Sequence, residues 1–250
     1  MKGCLHISAA LCLTALLLCS CSRGEIFFSP DGVKPLSVSQ ITQASPSAEI
    51  EFDDGGVMRS LYCPEGLEGS SVTDSRSAIR FIHSLSGPLG IADTPEQVRL
   101  DGTYTSTDGK LNIYRFIQSC GGYFVLDSRI DVVTQAESGR VILLTSGFLT
   151  DLQPSEEKRG VSVTQAFVTA EEELSLKGGG NVINDPLLAY FVEDGKARLV
   201  YSFGIYRDGR ELFACVSDAR TGELLRSVKG EDGQISIEYG ELAATFSPPD

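Results

Sequence analysis

The sequence predicts an α+β chain of two units, each an α-helix packed on an antiparallel β-sheet. Three observations predict it. Runs of alternating apolar and polar residues recur along the chain, as half-buried strands require. Two segments with helical apolar spacing each stand before four such runs. Asp-Gly, Ser-Gly and Thr-Gly pairs separate the runs, and glycine's tolerance of positive φ suits tight turns there. A hydrophobic content of 42% and a charged content of 22% over 250 residues belong to a globular chain with room for two small units.

Residues 1–20 read as a lipoprotein signal peptide. Lys2 supplies a positive start, and the apolar run Ile7 to Leu18, broken only by Ser8 and Thr14, is too short to span a bilayer. Leu18-Cys19-Ser20-Cys21 follows. It resembles the bacterial lipobox, in which the last Cys thiol takes a diacylglycerol before the chain is cut in front of it. Small Ser20 suits the position before the cut, whereas a cut before Cys19 would put bulky Leu18 there. The expected lipid attachment site is therefore Cys21, and the expected location is the extracytoplasmic face of the cell membrane. The alternative is a plain secretory peptide cut near Ser20 or Ser22. No later segment is apolar for the ~18 residues of a spanning helix.

Residues 21–44 read as a polar tether, with Pro30 and Pro35, running into a first loose strand. The first unit is expected over residues 45–152. Ala48 to Phe52 alternates, Asp53-Asp54-Gly55-Gly56 turns the chain, and Val57 to Tyr62 returns as a hairpin. Thr73-Asp74-Ser75 caps a helix whose apolar face is Ala78, Ile79, Ile82 and Leu85, and Gly87-Pro88 stops it. Strands are expected at Val98–Tyr104, Leu111–Ser119, Tyr123–Val133 and Arg140–Thr145. Asp108-Gly109, Cys120-Gly121-Gly122 and Ser138-Gly139 turn the chain between them.

Residues 151–160 are charged, carry Pro154 and read as a linker. The second unit is expected over residues 161–228. Ser162 with Gln165 is a capping-box match, Ala166, Phe167, Ala170 and Leu174 share a helical face, and Gly178-Gly179-Gly180 ends the helix. Leu187–Val192, Ala197–Tyr206, Glu211–Ala219 and Glu223–Val228 read as a four-stranded meander turned at Asp194-Gly195, Asp208-Gly209 and Thr221-Gly222. Residues 229–250 read as a partly ordered tail. A unit of about 70 residues is marginal alone, so it is expected to dock on the first.

Lys2 is the only charge among residues 1–20, so the rest carries 20 basic against 34 acidic groups, a net of −14. That field repels phosphate backbones and excludes nucleic acid as a partner.

Two stretches carry a family resemblance. Arg76 to Gly90, then Ala92-Asp93-Thr94-Pro95-Glu96-Gln97-Val98-Arg99-Leu100, resembles the helix and following strand of the fungalysin/thermolysin propeptide (FTP) domain. Tyr114-Arg115-Phe116, Gln118, Gly122, Phe124-Val125, Ser138-Gly139-Arg140-Val141 and Ser146-Gly147-Phe148-Leu149 continue the pattern. Cys120 stands where the family usually has an aromatic residue, and Phe124 where proline is common. The second unit resembles the PepSY domain that follows in such propeptides. Its helix Val163 to Leu174, Arg198-Leu199-Val200-Tyr201 and above all Val216-Ser217-Asp218-Ala219-Arg220-Thr221-Gly222-Glu223-Leu224-Leu225 match. Together the resemblance spans roughly residues 45–228. In the family these domains precede a zinc metalloprotease, assist its folding and block its cleft. Here no His-Glu-x-x-His occurs, and His83 is the one histidine beyond His6, so the resemblance implies action in trans.

Other motifs give way to plainer readings. His83 lies beside an apolar helix face with no identifiable nucleophile or orienting acid. Ser155-Glu156-Glu157-Lys158 matches Ser-x-x-Lys inside a charged linker. Gly178 to Gly180 follow a helix instead of opening one, so they are no phosphate cradle. The Asp-Gly pairs lack a calcium-loop frame, and Glu171-Glu172-Glu173 reads as a solvated face. Cys63, Cys120 and Cys215 permit one disulfide and a spare thiol, or three buried small hydrophobes; Cys-x-x-Cys is absent. Sheet edges, which can pair with an extended peptide, are the better functional lead.

The sequence thus predicts no catalysis, no cofactor and no metal. It predicts a lipid-anchored cell-surface protein that binds an extracytoplasmic peptidase in trans, as inhibitor or folding modulator. The alternative is an envelope module that senses or scaffolds and regulates a membrane or cell-wall protein.

Overall fold

A computed structural model describes residues 29–153, 158–176, 179–193 and 195–230. The signal peptide, Cys21, Ser155 to Glu157, Gly178, Asp194 and the stretch after Gly230 lie outside the described residues.

The expected loose strand before residue 48 is a helix instead. Helix α1 (Val38–Ala44) is capped by Ser37, whose hydroxyl accepts from Gln40 N while the Gln40 side chain accepts from Ser37 N. Ile41, on its inner face, is fully buried. The polar, proline-bearing composition hid a two-turn amphipathic segment with one apolar anchor.

Strands β1 (Glu49–Phe52) and β2 (Met58–Tyr62) form the expected hairpin. The Asp53 carboxylate organises its turn, accepting from Gly55 N, Val57 N and the Arg59 guanidinium. Helix α2 (Ser75–Ser84) starts at Asp74, which accepts from Ser77 N at 2.6 Å, and buries Ala78, Ile79 and Ile82. Gly87-Pro88 does not stop the helical path. Both residues sit in a further turn, α3 (Ser86–Leu89), and the chain leaves it only at Gly90, whose φ is +67°. A third short piece, α4 (Thr94–Gln97), leads into β3 (Val98–Thr105). His83 Nδ1 lies 3.0 Å from Thr94 Oγ1, so the histidine ties α2 to α4.

Strands β4 (Leu111–Cys120), β5 (Tyr123–Gln135) and β6 (Val141–Ser146) follow, then α5 (Val163–Glu173) with its Ser162–Gln165 capping box. The glycine run does not terminate α5. Ser175, at φ +53°, makes the left-handed step, with Ser175 N donating to Glu172 O and Leu176 N to Glu171 O. These are the two bonds of a Schellman cap, formed here without glycine. Strands β7 (Val182–Glu193), β8 (Lys196–Arg207), β9 (Arg210–Asp218) and β10 (Leu224–Lys229) follow as a meander. Asp208 and Gly209 both have positive φ, as a two-residue hairpin turn between β8 and β9 requires.

The expected pair of units, each an α-helix on its own antiparallel sheet, is overturned. Among the described residues all ten strands belong to one mixed sheet, with 44% of those residues in strand and 18% in helix. The joint is β5, long enough to serve two sets of neighbours. Its second half pairs β6 antiparallel, Ile130 to Thr134 against Val141 to Ser146, and its first half pairs β7 parallel, Phe124 with Ala189 and Val125 with Tyr190. Alternation reveals a strand but not its partner, and this partner lies 65 residues downstream, across β6 and α5.

Between its halves β5 kinks. Ile117 faces Arg129 and Ser119 faces Phe124, so residues 125–128 stand opposite Gln118 alone. Asp127 takes φ +62° there, and its carboxylate meets Arg226 of β10 at 2.8 Å. Two apolar cores flank the kink. One gathers Ile82, Leu85, Phe116, Val132 and Leu144, and the other gathers Ala166, Ala170, Phe203, Ile205 and Cys215 with Val125 of β5.

Candidate interaction surfaces

A buried amide holds the segment after β6 in place. Gln118 is 3% exposed. Its Nε2 donates to Leu149 O at 2.8 Å, and its Oε1 accepts from Leu149 N at 3.0 Å and from the Ser128 hydroxyl. The Ser128 hydroxyl also lies 3.1 Å from Gly147 O. Each polar side-chain atom of this buried corner has a partner, as burial demands.

The Asp218–Glu223 turn is as tightly made. The Asp218 carboxylate, nearly buried, accepts from Arg220 N at 2.7 Å and Thr221 N at 2.9 Å, while Gly222 N donates to Asp218 O. Gly160 N and Val161 N both donate to Ala219 O, and a Cβ on Gly160 would lie 2.2 Å from Arg220 O. Tyr201 Oη donates to Val161 O at 2.9 Å, closing the other side. The stretch that carries the strongest resemblance is thus a rigid structural turn, with the Asp218 Oδ1 atom holding two of its backbone amides.

These two fixed segments wall a cleft of about 760 Å³. Leu149 to Gln153 form one side, Gly195 to Arg198 another, and Asp218 to Glu223 the third. Four cations line it, Arg59, Lys196, Arg198 and Arg220, beside the carboxylates of Asp151, Asp218 and Glu223. Arg59 is engaged by Asp53 at 2.6 Å, and Arg198 reaches Glu193 only at 4.0 Å. Among the described residues Lys196 and Arg220 form no ion pair.

Three strands have a single neighbour among the described residues: β1 pairs only β2, β3 only β4, and β10 only β9. The longest of these edges is β3, whose distal residues Thr103, Tyr104 and Thr105 are exposed. The Tyr104 ring lies across Gly102, where a Cβ would come within 2.7 Å of its hydroxyl, and Arg115 stacks 5.3 Å from the ring centroid. Arg115 in turn pairs with Asp131 at 2.9 Å, and that bond holds the guanidinium pKa above its usual value.

Cys63 lies in the first core, while Cys120 and Cys215 pack in the second, and all three are free thiols. Burial pushes the Cys215 thiol up to about 12, the opposite of what a redox thiolate needs. Glu171 accepts from the Asn181 side chain at 2.6 Å and is half-buried, while Glu172 and Glu173 of the acidic run are exposed. Sequence reasoning missed the cleft because its cations are scattered from residue 59 to residue 220. Gln118 and Arg220 fall within the resembling stretches, but nothing in their local pattern marks a role for either. Among the described residues no group of three or more His, Cys, Asp or Glu is placed to hold a metal ion, and no helix is long and apolar enough to cross a membrane.

No family model matches the chain, and no curated protein matches it. Among solved structures it is similar to the Bacillus megaterium YpeB C-terminal domain. That likeness has 12% identity, covers 80% of this chain and 100% of the other, and has a TM-score of 0.43. A likeness at that level carries no statement about function.

Proposed function

We propose that this chain is a non-catalytic binding module, held at the outer face of the cell membrane by a lipid on Cys21. It engages an exported peptidase in trans, as inhibitor or folding modulator. The observation that carries the reading is the open edge of β3, eight residues long and paired on one side only among the described residues. Peptidase clefts receive their substrates extended, and an extended segment is what a free strand edge presents or accepts. The resemblance of residues 45–228 to FTP and PepSY propeptide units, in a chain without His-Glu-x-x-His, supports the same reading.

The test is a titration of soluble residues 22–250 against the metalloprotease activity exported by the same organism. The expected result is inhibition that reaches a defined stoichiometry and is lost when Thr103 and Thr105 are both replaced by Lys, a change that discourages edge pairing. A flat titration with wild-type protein would refute the peptidase reading and favour a sensing or scaffolding role.

A further inference from the structure

A row of apolar side chains crosses the sheet on the face turned away from the first core. Tyr104 of β3 pairs with Ile113 of β4, Ile113 with Val133 of β5, Val133 with Leu143 of β6, and Leu143 with Tyr62 of β2. The adjoining row, Tyr114, Val132, Leu144 and Leu61, lies in the first core, so the alternation of strand side chains puts this one on the opposite face. Tyr62, Ile113, Val133 and Leu143 are half-buried, Tyr104 is 47% exposed, and none of the five packs into a buried core. The open face of an antiparallel sheet is ordinarily polar. Here an apolar row runs out to the open edge of β3 and ends there at Tyr104.

Tyr104 is also held still. Its ring lies across Gly102, and Arg115 backs it 5.3 Å from the ring centroid. Two bonds from Arg115 to Asp131, at 2.9 and 3.2 Å, fix the guanidinium in turn. A ring ordered before contact loses little freedom on binding, as the aromatic anchors of interfaces do. The edge needs such an anchor. Its ladder with β4 shifts register between Leu100 and Gly102, so the regular run beyond the shift is only Gly102 to Thr105. Main-chain bonds along so short a run carry no sequence preference, which has to come from side chains. A strand added beyond β3 sets one residue opposite Tyr104, where it prolongs the apolar row. The residues before and after it fall on the other face, opposite the exposed hydroxyls of Thr103 and Thr105. We infer that the β3 edge takes an extended segment of a partner protein with a bulky apolar residue facing Tyr104 and small polar residues on either side. The inference rests on the binding-module reading and names the sequence pattern that this edge selects.

The probe is a fluorescein-labelled peptide, Lys-Ser-Thr-Ile-Thr-Ser-Lys, and the control is the same peptide with Ser in place of Ile. Fluorescence anisotropy is read with exported residues 22–250, which keep every described element, titrated to about 1 mM. Saturable binding of the Ile peptide is expected, with the control roughly tenfold weaker. Tyr104→Ala should lose a comparable factor, whereas Tyr104→Phe, which keeps the ring, should bind as wild type does. Tyr104 is exposed, so both variants should keep the wild-type circular dichroism. Equal binding of the control peptide, an unchanged Tyr104→Ala variant, a Phe variant as weak as the Ala one, or no binding would overturn the inference. So would self-association of the protein that Tyr104→Ala abolishes, because the occupant would then be a second copy. Peptide binding together with a flat protease titration would sink the peptidase reading and leave the edge assignment standing. Protease inhibition that survives Tyr104→Ala would do the reverse.

Discussion

Gln118 and Leu149 bind one another as two strands would, a side-chain amide standing in for a backbone peptide. The pair spans 31 residues and fastens the segment that leaves β6 onto the kink of β5. It also sets one wall of the cleft, because Leu149 begins that wall.

Replacing Gln118 by Ala should therefore cost more than its volume suggests. Leu149 N, Leu149 O and the Ser128 hydroxyl all lose a partner, at about 2–4 kcal/mol together. Urea unfolding followed by circular dichroism reads the loss. A change below about 0.5 kcal/mol would show that water replaces the amide freely.

Gly160→Ala places a methyl group 2.2 Å from Arg220 O, a backbone atom fixed by the Asp218 turn. Destabilisation of about 2 kcal/mol or more is expected. Gly179→Ala, with nothing within 4 Å and no positive φ, serves as the control and should lie within about 0.5 kcal/mol of wild type. Thermal midpoints of the two variants decide it.

Asp74 caps α2, and its bonds to Ser77, backbone first, hold its carboxyl below the ordinary 3.8. A depressed carboxyl contributes stability that is complete above the unfolded value and is lost as pH falls through the folded one. Asp74→Ala should cost ~1 kcal/mol near neutrality. The gap to wild type should narrow below about pH 4, as urea midpoints at pH 7 and pH 3 would show. A gap that is constant or larger at pH 3 contradicts the charge-assisted cap.

The three thiols should differ in reactivity. Burial raises all three, Cys215 furthest, and Cys120 alone retains partial exposure. Iodoacetamide at pH 8, followed by peptide mass mapping, should label Cys120 first, with Cys63 and Cys215 slower by at least roughly tenfold. Faster labelling of Cys215 would place it outside the second core.

Local pattern carried the strands well. The runs starting at Val98, Leu111 and Tyr123 start strands at those same residues, because half-burial writes period two directly into a sequence. Capping chemistry likewise placed the starts of α2 and α5. What failed was whatever depends on distant partners or on unusual residues in special geometry. Gly178 to Gly180 drew the end of α5, yet Ser175 adopts the left-handed turn. Gly87-Pro88 suggested a stop, yet proline is tolerated in the first turn of the new helical piece. The parallel union of β5 with β7 leaves no local trace, since hairpin signals report only neighbours in sequence. Strand edges were legible as a lead, but which edges stay open depends on that same pairing.

The long β5 strand also bears on how the chain is made. Synthesis delivers Phe124 and Val125 well before Ala189 and Tyr190, their partners across the sheet. Until the later residues emerge, half of a strand waits with one flank uncovered, and Val125, Cys120, Leu149 and Leu152 lack the second core they pack into. Such late, long-distance closure slows folding and exposes adhesive surface meanwhile. A truncated chain ending near residue 152 would be held in that waiting state for good. A stop codon in the second half of the gene should therefore yield an aggregating product instead of a smaller working one.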